Sequence, residues 1–175
     1  MCIECFDALP RFHYKSKEYI AWQDDSICRV GFSAVPDIGN KEINNKVMSK
    51  AEIKAAKKKP LYLKNTVEVC LIDKVKNKTY TFTINAGYDY DGASIARIFW
   101  RLIGSKENIE FKVAALVHDV LCENHHYVDN DRYFADKVFE RLLEVGDVGA
   151  FRRWIMFHSV DNFQKFCGWG KCDEE

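Results

Sequence analysis

Phe111-Lys112-Val113-Ala114-Ala115-Leu116-Val117-His118-Asp119-Val120-Leu121 is the stretch on which the fold turns. Its apolar residues occupy nearly every side of a helical projection, and a helix that is hydrophobic all round is usually buried all round. A histidine and a carboxylate inside it must each find a partner, because burying a polar group unpaired costs about 1–3 kcal/mol and a charge costs more. A turn-like polar run follows, Cys122-Glu123-Asn124-His125-His126-Tyr127, and then an amphipathic segment over residues 130–145 that carries Asp136. The spacing predicts an antiparallel helical hairpin. His118 lies about five residues before the loop and Asp136 about six or seven after it, so the two side chains stand at similar height and face each other.

Such a pair has chemistry to offer. A carboxylate bonded to one imidazole nitrogen fixes the tautomer and raises the basicity of the other, which equips His118 as a general base or a metal ligand, oriented by Asp136. Asp119 points about 100° further around the helix, where it can hold a cation beside the base. The structural alternative is a satisfied His–Asp pair that only locks the hairpin.

The rest of the chain sets the context for that pair. At 175 residues and 20.4 kDa, with 47% hydrophobic and 14% aromatic residues, it is long enough to bury a substantial core as a single domain, residues 1–175. Its 26 basic and 26 acidic residues cancel, so no bulk electrostatic pull toward nucleic acid or membrane follows. The start Met1-Cys2-Ile3-Glu4-Cys5 lacks the basic and apolar regions of a secretory signal, and no stretch approaches the ~20 apolar residues of a membrane helix. The expected residence is a cytosol. Of the 7 cysteines, Cys28, Cys70 and Cys122 sit in apolar surroundings and read as reduced core residues. Cys2, Cys5, Cys167 and Cys172 offer a second arrangement, a four-thiolate zinc site joining the ends.

Residues 1–87 read as mainly β structure interrupted by a Lys/Asn-rich insertion at 36–60. Aromatic and β-branched runs at 11–14, 18–22 and 27–32, separated by turn residues, are expected to pair as a meander. Within the insertion, Ser49 caps a short helix around Ala51-Glu52-Ile53-Lys54-Ala55-Ala56, and the lysines at 54, 57, 58 and 59 read as a solvated helix end or as phosphate contacts. Residues 66–72 and 79–85 are stronger strands, the second alternating Tyr80, Phe82 and Ile84 with threonines. They deliver the chain into Ala86-Gly87-Tyr88-Asp89-Tyr90-Asp91-Gly92-Ala93-Ser94, a tight loop in which Asp91, and after it Asp89, are candidate metal ligands; Ser94 then caps a helix at 95–103. Residues 88–166 are otherwise helical and 167–175 form a tail. In the last helix the expected stripe is Phe151, Ile155, His158 and Asn162, with His158 and Asp161 within range of the site or His158 at the core edge.

Asp91-Gly92-Ala93-Ser94-Ile95, Phe99-Trp100, Ala114 to Asp119 and Ala135-Asp136-Lys137-Val138-Phe139 together resemble the tailed-phage and prophage family catalogued as domain of unknown function 1353. The likeness covers about residues 88–169 and departs from the family's pattern at Ala96 and at Val120-Leu121-Cys122. It implies a phage or prophage origin, residence in the virion or the host cytoplasm, and other virion proteins as partners; it implies no activity. Two enzyme classes share fragments of the pattern. Phospholipases A2 pair a helical His-Asp with a second aspartate and a calcium loop, the places of His118, Asp119, Asp136 and the loop at 87–92. His-Asp metal phosphohydrolases contain a run similar to Ala114 to Asp119, but need an upstream ligand histidine, and only His13 is upstream.

The sequence therefore predicts an α+β fold, an N-terminal antiparallel β-meander or sheet packed by three to four C-terminal helices. The expected function is a phage-type, metal-assisted hydrolase, with His118 and Asp136 catalytic and Asp91, Asp119 and Asp89 holding a divalent ion: calcium, magnesium, manganese or zinc. The rival is a noncatalytic virion or accessory protein in which the same residues form a buried network.

Overall fold

A computed structural model describes residues 13–14, 17–18, 28–44, 46–92, 109–146 and 148–167. Strands β1 (His13–Tyr14) and β2 (Lys17–Glu18) pair antiparallel. They are followed by β3 (Cys28–Phe32), β4 (Ile38–Asn40), helix α1 (Lys50–Lys58) and β5 (Leu61–Leu63). Next come β6 (Val67–Asp73), β7 (Lys78–Ile84) and β8 (Asp89–Tyr90). Helix α2 (Ile109–Glu123), a 3-10 turn (His125–Val128), α3 (Arg132–Val145) and α4 (Ala150–Cys167) complete the described chain. The architecture is α+β, with antiparallel sheets from the first half and helices from the second. No helix among the described residues is long and apolar enough to cross a membrane.

The β6–β7 hairpin follows the sequence pattern closely. Tyr80, Phe82 and Ile84 are buried while Thr79, Thr81 and Thr83 face out, the period of two of a sheet with one solvated face. Its turn is set by Asp73, whose buried carboxylate accepts the Val75 and Lys76 N–H groups, and by Asn77 at φ 51°. Of the runs expected to pair as a meander, β1 and β2 do so, while most of the run at 18–22 lies outside the described residues. Within the described sheets β3 pairs with β6, across the insertion, in the order β3-β6-β7. That pairing makes β6 the central strand, with both edges hydrogen-bonded, and Val69 to Asp73 are buried without a break.

The Lys/Asn-rich insertion is more ordered than its composition implies. Ser49 and Glu52 form a reciprocal capping box at the start of α1, with Glu52 N–H to Ser49 Oγ at 3.2 Å and Ser49 N–H to Glu52 Oε2 at 2.7 Å. On either side of α1 lie β4 and β5, two short strands that pair with each other, and β8 joins them at β5. The stretch around Asp89 is thus partly strand, entered and left through Gly87 and Gly92, both near φ +88° where a side chain would be strained. Lys59 pairs with Glu123 at 2.7 Å, and Tyr88 donates to the other oxygen of Glu123 at 2.6 Å, so one carboxylate pins the end of α2 to both neighbours.

Ala114, Ala115, Leu116, Val117 and Leu121 are fully buried in α2, as an all-apolar helix requires. Helix α3 packs against it and lies over β3. The buried face of α4 is Ile155, Met156 and Val160, rotated from the expected stripe; Phe151 is 72% exposed and Trp154 59%. The expected helix at 95–103 with its Ser94 cap lies outside the described residues, as do the side chains of Cys2, Cys5, Cys167 and Cys172.

Candidate functional site

The α2–α3 hairpin brings His118 and Asp136 together across 18 residues of sequence, with His118 Nε2 3.2 Å from Asp136 Oδ1. Neither side chain sees much water: His118 is 4% exposed and Asp136 is completely buried. The Phe139 ring, one turn beyond Asp136, lies tilted against the imidazole at 5.1 Å between centroids. An ionised carboxylate in such surroundings needs compensation beyond one neutral histidine. Arg132 supplies it from the same helix, one turn earlier, with Nη1 2.9 Å from Asp136 Oδ2. The same guanidinium nitrogen reaches Asp161 Oδ1 on α4 at 2.6 Å, and Asp161 in turn pairs with Lys165 at 2.6 Å. Charges of alternating sign therefore run Asp136, Arg132, Asp161, Lys165. Burial pushes the Asp161 carboxyl up, but the Lys165 ammonium and the Arg132 guanidinium outweigh it and hold the group below its ordinary range.

Asp136 accepts from Nε2–H, and that bond fixes the tautomer: Nδ1 carries the lone pair and is the basic nitrogen. Nδ1 is 4.0 Å from Asp119 Oδ1, too long for a hydrogen bond, and 3.6 Å from Cys122 Sγ. Cys122 is one helical turn after His118 and so shares its face. It is also not the core residue that its apolar neighbours implied, since it is partly exposed while Cys28 and Cys70 are buried. Burial pushes the Cys28 thiol up to about 12.

The remaining candidates are placed as follows. Asp119 keeps its side chain 15% exposed, and after burial it is the Asp119 carboxylate that pushes the Tyr90 phenol upward. Tyr90 is fully buried and donates to the Lys112 carbonyl at 3.1 Å, so the end of β8, with Asp91 immediately after it, is held against α2. Asp89 pairs with Lys41 at 2.6 Å. Among the described residues no three His, Cys, Asp or Glu side chains gather in an arrangement that would hold a metal ion. His158 packs edge-on to Trp154 and Phe157 and stands apart from the dyad's bonds, whereas Asp161 joins them through Arg132. A cleft of about 360 Å³ lies by the loop at 85–88, lined by Asn85, Tyr88, Asn124, Tyr127 and Val120. Val120 is about 200° around α2 from His118, so this cleft opens on the opposite face of the helix from the dyad.

Arg132 and Cys122 lie against the dyad although neither was among the site candidates read from the sequence. Both stood at helical spacing from a named residue, Arg132 four before Asp136 and Cys122 four after His118. That interval is the signal that would have found them.

These features define an α+β protein with a His–Asp dyad buried in a helical hairpin and tied by an arginine to a third helix. The chain belongs to the family described as protein of unknown function (DUF1353), whose pattern matches residues 67–160. The match begins at β6 and ends within α4, so it takes in the β6–β7 hairpin as well as the helical motifs from residue 88 onward. No curated protein and no solved structure matches the chain.

Proposed function

We propose that this is a phage- or prophage-type protein with a hydrolytic site at the α2–α3 hairpin, in which His118 is the general base and Asp136 orients it. The observation that carries the reading is the 3.2 Å bond from His118 Nε2 to a carboxylate with no solvent exposure. It leaves Nδ1 as the proton acceptor, with the resulting imidazolium stabilised by Asp136. In the metal-assisted form of this reading, Asp119 and Asp91, with Asp89, would hold a divalent ion beside the base, although Lys41 already pairs with Asp89. The test is hydrolysis of ester, phosphodiester and cell-wall amide substrates by the protein and its His118→Gln variant. A general base contributes about 10²–10⁴-fold, so a loss of at least about 100-fold is expected with the fold retained.

A second reading rests on Arg132, whose bonds to Asp136 and Asp161 extend the dyad into a network across α2, α3 and α4. In that reading the protein is a noncatalytic virion or accessory component, in contact with other virion proteins, and the network fixes how its helices dock. Absence of hydrolysis on all three substrate classes, with His118→Gln lowering the melting temperature, would select it.

A further inference from the structure

We propose that Cys122 is the nucleophile of this site and that its substrates are carbonyl compounds, esters or amides, hydrolysed through a thioester on Cys122. The inference rests on the hydrolytic reading above and replaces a water nucleophile with a thiol. Three side chains on two helices are arranged as nucleophile, base and orienting carboxylate. Cys122 Sγ is 3.6 Å from His118 Nδ1, and His118 Nε2 is 3.2 Å from Asp136 Oδ1. The sulfur is also 3.8 Å from Nε2, so it lies over the face of the ring, and proton transfer to Nδ1 takes a turn about the Cys122 Cα–Cβ bond that carries the sulfur toward the Nδ1 lone pair.

The order of the three groups is set by the tautomer. Because Asp136 holds the Nε2 proton, Nδ1, the slightly nearer of the two nitrogens to the sulfur, is the one able to accept. His118 is also one turn from the C-terminus of α2, where the helix dipole favours the imidazolium that forms. The thiolate receives no such help from that helix end, so its activation depends on His118 alone. The other described cysteines provide the contrast: Cys28 and Cys70 are buried, and the Cys28 thiol is pushed up to about 12 by burial, whereas Cys122 is partly open.

In the reaction, His118 Nδ1 takes the proton of Cys122 Sγ, and the thiolate adds to the substrate carbonyl carbon to form the C–S bond. Collapse of the tetrahedral species breaks the bond to the alcohol or amine, which leaves with the proton from His118. Water then adds to the thioester as His118 takes its proton. The C–S bond breaks, the acid departs, and the proton returns to sulfur. No oxidant or reductant enters.

The test is alkylation of the folded protein by limiting iodoacetamide at pH 6.5, with the Cys122 peptide followed by mass spectrometry. The reference is the same cysteine in the urea-unfolded chain. At this pH an ordinary thiol is about 1% ionised, so activation is expected to make Cys122 of the folded protein react about tenfold faster than the reference. The advantage is expected to disappear in Asp136→Asn and His118→Gln. A folded-state rate at or below the unfolded reference overturns the proposal, and that comparison needs no variant to fold. With p-nitrophenyl acetate as acyl probe, an acetyl group on Cys122 after acid quench is expected, and it is absent in Cys122→Ser. If Cys122→Ser retains ester hydrolysis that His118→Gln abolishes, the thiol nucleophile is overturned and the dyad acting on water stands. If no substrate is hydrolysed by any form, the hydrolytic reading fails, and the nucleophile with it.

Discussion

Arg132 is held 2.9 Å from Asp136, one turn away on its own helix, and with the same nitrogen it bonds Asp161 on the next helix at 2.6 Å. A fully buried carboxylate is thereby tied through Arg132 to α4. Removing the guanidinium strands Asp136 with His118 as its remaining compensation. Breaking a buried pair from one side costs about 3–5 kcal/mol, and because Arg132 keeps about a quarter of its side chain in water the expected loss for Arg132→Ala is about 3 kcal/mol. Urea unfolding measures it, and a midpoint unchanged from the parent protein would show that the bridge contributes nothing.

Acid should loosen the docking of α4 before it disrupts the β6–β7 hairpin's core. The Asp161 carboxyl is held below its ordinary range, so its contribution to stability is fully present above the unfolded value of about 3.9 and is lost as pH falls through the lower folded value. Burial pushes Asp131 up, but the Lys76 ammonium and the Phe134 N–H outweigh it and leave it below the ordinary range as well, with the same sign. Stability measured from pH 6 down to pH 2 should therefore fall below about pH 4, and less steeply in Asp161→Asn. Equal slopes for the parent and the variant would remove Asp161 from the acid response.

Cys28 makes a separate prediction. Its thiol is 2% exposed, pushed up to about 12 by burial, and lies 3.7 Å from the Lys137 carbonyl on α3. It should react with iodoacetamide only when the β3–α3 contact opens, so its labelling rate should follow urea concentration in step with global unfolding. Labelling of Cys28 at a rate independent of urea would mean that β3 opens locally.

Divalent ions are tested by thermal unfolding in chelator and then with calcium, magnesium, manganese or zinc. Where the dyad works without metal, all five melting temperatures agree. Cation binding by Asp119 and Asp91 would instead stabilise the fold by about 2.7 kcal/mol at a hundred times the dissociation constant, and the shift would vanish in Asp119→Asn. Zinc stabilisation that survives Asp119→Asn and is lost on changing Cys2, Cys5, Cys167 or Cys172 would place the ion at the termini.

Elements that depend on local pattern alone were legible before any coordinates. The apolar surround of Ala114 to Val117 made α2 a buried helix, the threonine alternation at 79–83 defined β7, and Ser49 with Glu52 started α1. The meeting of His118 with Asp136 was also legible, because a short loop between two helices brings residues equidistant from it to the same height. Pairings that local pattern leaves degenerate were settled by packing. The run at 28–32 suits any neighbouring strand, and its choice of β6 depends on which partner completes the core. Phe151 and Trp154 look like core residues by type, but the face that α4 buries is set by its docking on α3, which selects Ile155, Met156 and Val160. Arg132 and Asp161 are 29 residues apart, and Cys122 reads as one more apolar position in a buried helix. Their places beside the dyad arise because burying Asp136 demands a countercharge, and because the last turn of α2 lies close enough to the surface to leave its thiol partly open.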